Sequence, residues 1–504
     1  MDPMTNQETK SQANLAWETK RKETNPMKKQ PQRCFVERSW PVAVILQMLV
    51  ASGFMVLKAP SADAASSGYQ FSLVSSLDSP APGGGTFVND FEPGGLNNRG
   101  DMAFGADVST GGEGVFLGHK DGIIELGRTG GAAPGGGSFE FAFLGPVALN
   151  DQGDMVFTFL LKDFTQPFGV NAGVYRFSHA TGSLAPVVLP FVTPAPGGGT
   201  FQGVSFGPTI NNRRDLVFTG IIVTDQGVHN VPDTGEPYVG LGLGIFRADA
   251  LGHISSVASP GDAAPGGGTF DSAIEAWGND RGDVSFTGHI AGEESVVAGF
   301  PPQAVLISAL VGLYVKEAGS AEIRTIVHSG DPAPGGGNFR QAFHNSINNA
   351  GDIAFNGDLT SAPGANESIG VFVYSGGSIT AVARPGDFLP GGGTLVNASL
   401  VGGNLRINNR GDIVFSAQVD VGDSSLVTGL FQWSRGSLRV IARTGTVIPG
   451  VGTVDQLAAP QLVVPPPPIL APTSGAINND VGQVLFTATL TDGRGVLLLA
   501  TPRP

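Results

Sequence analysis

The chain has 504 residues, a formal net charge of −14, 75 Gly, 36 Pro, 31 Phe and one Cys, and 14% of its residues are charged. An acidic balance without a basic stripe argues against a nucleic-acid partner, whose binding depends on neutralising phosphates, and one Cys excludes a disulfide framework or a zinc–cysteine site. A hydrophobic content of 41% argues against disorder, so Gly and Pro read as punctuation between many short strands.

Residues 1–64 stand apart. The basic stretch "KRKETNPMKKQPQRCFVERSW" leads into the apolar run "VAVILQMLVASGFMVL" at 42–57 and then Ala62-Asp63-Ala64. That order is the pattern of an export signal with an A-x-A site, and cleavage is expected after Ala64. The length of the basic part leaves Met27 as an alternative start. The alternative is an uncleaved membrane anchor, but the apolar run is short of the ~20 residues that a spanning helix needs, so no membrane span is expected in the mature chain. Cleavage removes Cys34 and more basic than acidic residues. The remaining 65–504 is then still more acidic, which suits solution outside the cell or cation binding. Secretion to the extracellular space or periplasm follows as the expectation.

From there two motifs alternate. A Pro-Gly-Gly-Gly turn begins at Pro82, Pro134, Pro196, Pro265, Pro334 and Pro390, with a worn "PGVG" at Pro449. The motif N-x-x-G-D-x-x-F begins at Asn97, Asn150, Asn211, Asn279, Asn348, Asn408 and Asn479, at spacings of 53, 61, 68, 69, 60 and 71 residues. Such a period fits one four-stranded unit per repeat. Asn and Asp bond to their own main chain and Gly supplies a positive φ, so Asn-x-x-Gly-Asp between apolar alternations reads as a hairpin turn. In the third copy Arg214 replaces that Gly, and a strained or differently shaped hairpin is expected there.

After each hairpin the pattern has period two, as a half-buried strand requires. Met102, Phe104, Ala106 and Val108, or Leu216, Phe218, Gly220 and Ile222, spell aliphatic, Phe, small, aliphatic. The Phe recurs as Phe157, Phe286, Phe355, Phe415 and Phe486. The small third residue, replaced by Phe159 in the second copy, is expected to let a neighbouring sheet approach closely. A Gly-aliphatic-aromatic strand follows at Gly114, Gly173, Gly244, Gly312, Gly370 and Gly429, with "GVL" at Gly495, and a fourth apolar run leads into the next Pro.

The ends complement each other. "YQFSLVSSLDSPAPGGG" aligns with a fourth strand that lacks strands one to three before it, and "GVLLLATPRP" is a third strand without a fourth. The expected fold is therefore all-β: a seven-bladed β-propeller of four-stranded blades over 65–504, with the last blade closed by the N-terminal strand. A β-solenoid or a string of sandwiches is the alternative.

The hairpins with their Gly-aliphatic-aromatic and Pro-Gly-Gly-Gly elements resemble the bacterial secreted proteins with tandem NxxGxxxAF repeats, relatives of the extracellular HAF repeats. The resemblance covers about 68–500. It implies export, often with a C-terminal sorting anchor, and brings no established reaction or catalytic residues. The ending "TPRP" carries no apolar anchor helix, which favours release.

Candidate sites are few. Asp101, Asp154, Asp215, Asp283, Asp352 and Asp412 recur at the turns, with Gln483 in the seventh copy, and are candidates for a calcium ion, against a self-capping role that is favoured. Pro-Gly-Gly-Gly is no phosphate loop, because no Lys follows and the next element is a strand. The triplets Arg99-Gly100-Asp101, Arg281-Gly282-Asp283 and Arg410-Gly411-Asp412 look like adhesion signals. The other copies read Gln-Gly-Asp, Arg-Arg-Asp, Ala-Gly-Asp and Val-Gly-Gln, so turn chemistry is what is maintained. The inserts 221–243 and 291–311 read as long loops on the Pro-Gly-Gly-Gly face, which are candidates for a ligand surface, against a covering of blade edges that is favoured. The insert 455–476, with Pro465 to Pro468, reads as polyproline II on the opposite face. The seven His fall at unrelated repeat positions and neither H-E-x-x-H nor G-x-S-x-G occurs. The expectation is a monomeric, non-catalytic binding or surface-associated module with an extracellular glycan or protein ligand. The alternative is a glycan- or ester-active hydrolase or lyase.

Overall fold

A computed structural model describes residues 68–503, apart from 142–146, 163–170, 231–236, 291–294, 301–302, 309–311, 361–368, 399–404, 423–424 and 458–474. The export segment and the Pro465–Pro468 run lie outside the described residues.

Seven antiparallel sheets follow one another along the chain. Blade 1 runs from its inner strand Phe87–Leu96 through Met102–Val108 and Glu113–His119 to the outer strand Gly122–Arg128. Blades 3, 4 and 5 repeat the order from inner strands Gly203–Ile210, Phe270–Gly278 and Phe339–Ile347. In blades 2, 6 and 7 the inner strand is in two pieces, Ser138–Phe141 with Ala148–Leu149, Thr394–Asn397 with Arg406–Ile407, and Gly452–Leu457 with Ile477–Asn478. The chain's first strand, Tyr69–Ser76, pairs with Gly495–Pro502 as the outermost strand of blade 7, Tyr69 opposite Pro502. The architecture is thus a seven-bladed β-propeller. Among the described residues no helix is long and apolar enough to cross a membrane.

The core lies between blades. Phe104 and Phe116 of blade 1 pack with Leu485 and Leu497 of blade 7, while Ala103, Val115 and Leu117 on the other face pack with Phe157 and Tyr175 of blade 2. Burial on both faces corrects the half-buried expectation for the second strands: in blade 2, Val156 and Thr158, which lie between the alternating residues, are buried as well. Within a blade the recurrent Phe stacks on the third-strand aromatic, as with Phe218 on Phe246 at 5.8 Å and 29°. The Phe after Pro-Gly-Gly-Gly meets that aromatic edge-on, Phe201 at 4.8 Å and 88°. Offset stacks and edge contacts of this kind add ≈ 0.5–1.5 kcal/mol each beyond area burial.

These rings correct the expectation for the small third residue. A Cβ on Gly220 would lie 2.6 Å from Phe201 and 2.8 Å from Phe246, so the small residue makes room for the rings of its own blade rather than for a neighbouring sheet. Gly288 and Gly357 stand in the same relation to their own rings. In blade 2, Phe159 stacks on Phe139 at 4.2 Å instead.

The Pro-Gly-Gly-Gly turn links each outer strand to the next inner strand. Its three glycines all take left-handed backbone angles, φ 78°, 105° and 81° at Gly83, Gly84 and Gly85, a run that residues with a Cβ resist. The described parts of the inserts at 221–243 and 291–311 are paired strands and not the expected loops. The first extends the second and third strands of blade 3 into the long pair Leu216–Asn230 and Pro237–Ala248, and the second contains a separate hairpin, Ser295–Phe300 with Gln303–Ser308. Their apolar, β-branched content continues strand pairing, which the spacing argument treated as irregular chain.

Arg214 adopts φ 70°, and its turn keeps the hydrogen bonds of the others, Asn211 N–H to the Asp215 carbonyl at 3.1 Å and Arg214 N–H to the Asn211 carbonyl at 3.0 Å. The expected change of shape is therefore absent, and the left-handed strain is present. Elsewhere the Arg at the third motif position lies over the following blade's glycine: a Cβ on Gly153, Gly282, Gly351 or Gly482 would meet Arg99, Arg213, Arg281 or Arg410. Blade 2 has Gln152 there, which leaves room for Arg214, and Arg214 reaches back to Asp154 of blade 2 at 2.7 Å. Arg214→Gly relieves about 1 kcal/mol of backbone strain but strips the cation from a buried carboxylate, which costs more. The expected net is a loss of about 1–2 kcal/mol, measured by urea denaturation.

Candidate functional site: the channel mouth

The hairpin turns of the seven blades meet around the axis. In each, the first Asn uses Oδ1 to accept from its own turn and Nδ2 to reach the next blade. Asn97 donates to the Asn150 carbonyl (3.2 Å), Asn150 to Asn211 (3.2 Å), Asn211 to Asn279 (2.9 Å) and Asn279 to Asn348 (2.9 Å). Asn348 donates to Asn408 (3.3 Å), Asn408 to Asn479 (2.9 Å) and Asn479 back to Asn97 (2.9 Å), which closes the belt.

A second ring lies on the first. At the next motif position each backbone N–H donates to the side chain of the following blade, in the order Asn98, Asp151, Asn212, Asp280, Asn349, Asn409, Asp480 and back to Asn98. The three carboxylates each accept from two flanking carboxamides, for example Asp151 from Asn98 and Asn212 at 3.0 Å each. These rings rim a cavity of about 190 Å³ on the axis.

Two residues before the belt Asn, the channel-lining position holds Gly95, Ala148, Thr209, Trp277, Ser346, Arg406 and Ile477. Five are small or aliphatic. Trp277 and Arg406 meet across blade 5, with the guanidinium carbon 3.5 Å from the indole centroid. Arg406 is 7% exposed, its Nη2 has no hydrogen-bond partner among the described residues, and Nη1 makes a 3.4 Å contact with the Leu405 carbonyl. Burial alone pulls the guanidinium down to about 9, so it stays cationic at neutral pH.

The same inner strands carry bulges with side chains at positive φ. Glu275 (φ 53°) and His344 (φ 48°) are joined by a bond from the His344 N–H to the Glu275 carboxylate at 2.9 Å, and Asn345 Nδ2 donates to the Glu275 carbonyl at 2.7 Å. Strain of this kind costs ~1–3 kcal/mol per residue and persists only where surroundings hold it. In blade 1, burial and the neighbouring Asp107 push Asp90 up to about 6. Glu92 is held well above the ordinary range by burial, then by Asp90, Glu113 and Asp107.

The six aspartates nominated for calcium stand on six separate blades. Asp101, Asp215, Asp283, Asp352 and Asp412 each accept from the belt Asn of their own turn, and Asp154 accepts the His179 N–H. Among the described residues no group of three or more His, Cys, Asp or Glu gathers to hold a metal ion. In the three Arg-Gly-Asp triplets the Arg pairs with its own Asp, at 2.9 Å for Arg99, 2.7 Å for Arg281 and 2.9 Å for Arg410. The carboxylate that an adhesion signal would present is thereby occupied. His119 Nδ1 lies 2.8 Å from Asp101, and among the described residues that line the channel mouth there is no His.

Reasoning from motifs alone passed over Trp277 and Arg406, because they lie outside both motifs. Aligning the seven copies two residues before the belt Asn would have exposed them: only there do an aromatic and a cation break a run of small residues.

No curated protein matches the chain. Among solved structures it is similar to an acylaminoacyl peptidase of Pyrococcus horikoshii (11% identity, 82% of this chain and 52% of that one, TM-score 0.42), so the chain spans about half the length of that enzyme. It is also similar to the β-propeller domain of the Trilobed protease of Pyrococcus furiosus (9%, 82% and 94%, 0.41). A third is an ulvan lyase of polysaccharide lyase family PL25 (10%, 85% and 96%, 0.42). Residues 60–501 match a family of unknown function, DUF7453, and the chain belongs to that family.

Proposed function

We propose that the protein is exported and acts as a monomeric, non-catalytic binding module whose ligand, an extracellular glycan or protein segment, seats in the channel mouth. The observation that carries this reading is the double ring of turns. It holds carboxamides and carboxylates from all seven blades in one rigid rim around an open cavity, and rigid, pre-placed polar groups lower the ordering cost of binding. Export is supported by the basic segment, apolar run and A-x-A sequence before residue 65. The test is a glycan and peptide array with the purified protein, run beside a hydrolase and lyase panel. The expected result is saturable binding that is weakened by Asp280→Ala and Asp480→Ala, without turnover. Turnover on the panel would replace this reading with the enzymatic one.

A further inference from the structure

We infer that the Arg406–Trp277 pair is an anion subsite that receives the carboxylate of an acidic sugar entering the channel mouth. This rests on the binding reading above and names its ligand class.

Arg406 is not required by the repeat. At its position the other inner strands close the ring with Gly95, Ala148, Thr209, Ser346 and Ile477, and Trp277 is its only large companion. A buried cation without a counter-charge is costly, which makes its retention for packing alone unfavourable. No ion pair of Arg406 occurs among the described residues, and the nearby carboxylates of Asp151, Asp280 and Asp480 are engaged by ring carboxamides. The indole face fixes the plane of the guanidinium, and an Arg held by its face offers the planar fork of N–H donors that matches a carboxylate. The ligand that satisfies this fork brings the missing negative charge.

The rim selects what accompanies that charge. Asn98, Asn212, Asn349 and Asn409 alternate with Asp151, Asp280 and Asp480 apart from the Asn349–Asn409 step. Asn98 and Asn212 spend both amide hydrogens on the flanking carboxylates, so the rim presents chiefly acceptor oxygens, with a second N–H on Asn349 and Asn409, which suits the donating hydroxyl groups of a sugar. Three rim carboxylates repel a compact multiply charged anion such as phosphate more than a single carboxylate on a neutral polyol. The cavity, at about 190 Å³, exceeds the ~150 Å³ that accommodates a benzene ring, so one sugar ring is within its size.

The test is calorimetric titration of the full-length protein with sodium glucuronate and a trimeric uronate, beside glucose and the neutral trimer, with sulfate and acetate as separate arms. Arg406→Met keeps an apolar stem over Trp277 and removes the charge; Arg406→Lys keeps the charge and removes the fork. The expected result is uronate binding at least tenfold tighter than the neutral sugars or sulfate, lost at least tenfold in Arg406→Met and partly in Arg406→Lys, with the melting temperature of Arg406→Met unchanged or raised. Equal binding of acidic and neutral sugars, or no heat with either uronate, overturns the subsite. Sulfate binding as well as uronate overturns the assignment to an acidic sugar. A lowered melting temperature in Arg406→Met together with unaltered uronate binding assigns Arg406 to holding Trp277 in place, which also overturns it. An array ligand insensitive to Arg406→Met would end this inference while leaving the binding module standing; turnover on the enzyme panel would end the latter.

Discussion

Deleting residues 68–76 is expected to abolish the cooperative melting transition and to shift the protein into larger soluble assemblies or aggregate. The strand supplies the outer edge of blade 7 and the latch between the first and last blades. Tyr69 is 2% exposed and its hydroxyl donates to Gln432 of blade 6 at 2.6 Å, while Phe71 meets Phe486 edge-on at 6.1 Å. Loss of the pairing with Gly495–Pro502, of the buried Tyr69 and of the half-buried Phe71 and Val74, at about 1.5–3 kcal/mol for full burial and less for partial burial, takes a large share of the ~5–15 kcal/mol by which a domain is stable. The uncovered strand would also present unpaired N–H and C=O groups, a template for pairing with another chain. Size-exclusion chromatography and circular dichroism melting check this, and a synthetic 68–76 peptide added in trans should restore the parent's elution volume and melting curve. Leu73→Lys, at a position 44% exposed, should change stability by less than about 0.5 kcal/mol. A truncated protein with the parent's elution volume and melting curve would show that the ring holds without its latch.

The sevenfold architecture was legible because each level of the sequence agreed with the next. Glycine triplets marked the crossings between blades, Asn-x-x-Gly-Asp marked the hairpins, and the complementary half-repeats at the ends announced the closure that Tyr69–Ser76 makes. Period-two patterning placed Phe104 and its six counterparts correctly in the core, but it carries no information on what lies opposite a side chain. The role of Gly220 was therefore assigned to the wrong neighbour. The inserts were misread for a related reason, since 221–243 lacks motif letters yet continues the strands it interrupts. The channel was the least legible part. Its belt needs the Asn side chain to span two blades, a relation set by closure of the ring, and its exceptional residues, Trp277 and Arg406, depart from the repeat instead of conforming to it. The Arg of the Arg-Gly-Asp triplets shows the same dependence on closure: Arg99, Arg281 and Arg410 cap their own Asp and cover the next blade's glycine, a function that no single copy displays.

Asn279→Ala should be the most damaging single substitution in the belt. Asn279 is 3% exposed. Its Oδ1 accepts from the N–H groups of Arg281, Gly282 and Asp283 at 3.0, 3.0 and 2.9 Å, and its Nδ2 donates to Asp283 and to the Asn348 carbonyl at 2.9 Å each. Truncation orphans several of these groups at once. At about 1 kcal/mol per bond, with more for groups left buried and unpaired, the loss should reach about 3–5 kcal/mol, measured as the shift in urea midpoint at constant slope. Asn279→Asp separates the two halves of the side chain. It keeps the acceptor for the turn but sets a carboxylate against the Asn348 carbonyl and the Asp283 carboxylate, so it should be nearly as harmful at neutral pH and milder in acid, where a protonated oxygen can donate again. Asn409→Ala, at an exposed position of the second ring, should cost less than about 1 kcal/mol. If Asn279→Ala proved as mild as Asn409→Ala, the belt would be a consequence of blade packing. A large loss in Asn279→Ala that Asn279→Asp shares at neutral pH, although Asp keeps the acceptor for the turn, assigns the loss to Nδ2 and its bond to the next blade, and with it the rigidity of the rim on which the proposed binding rests.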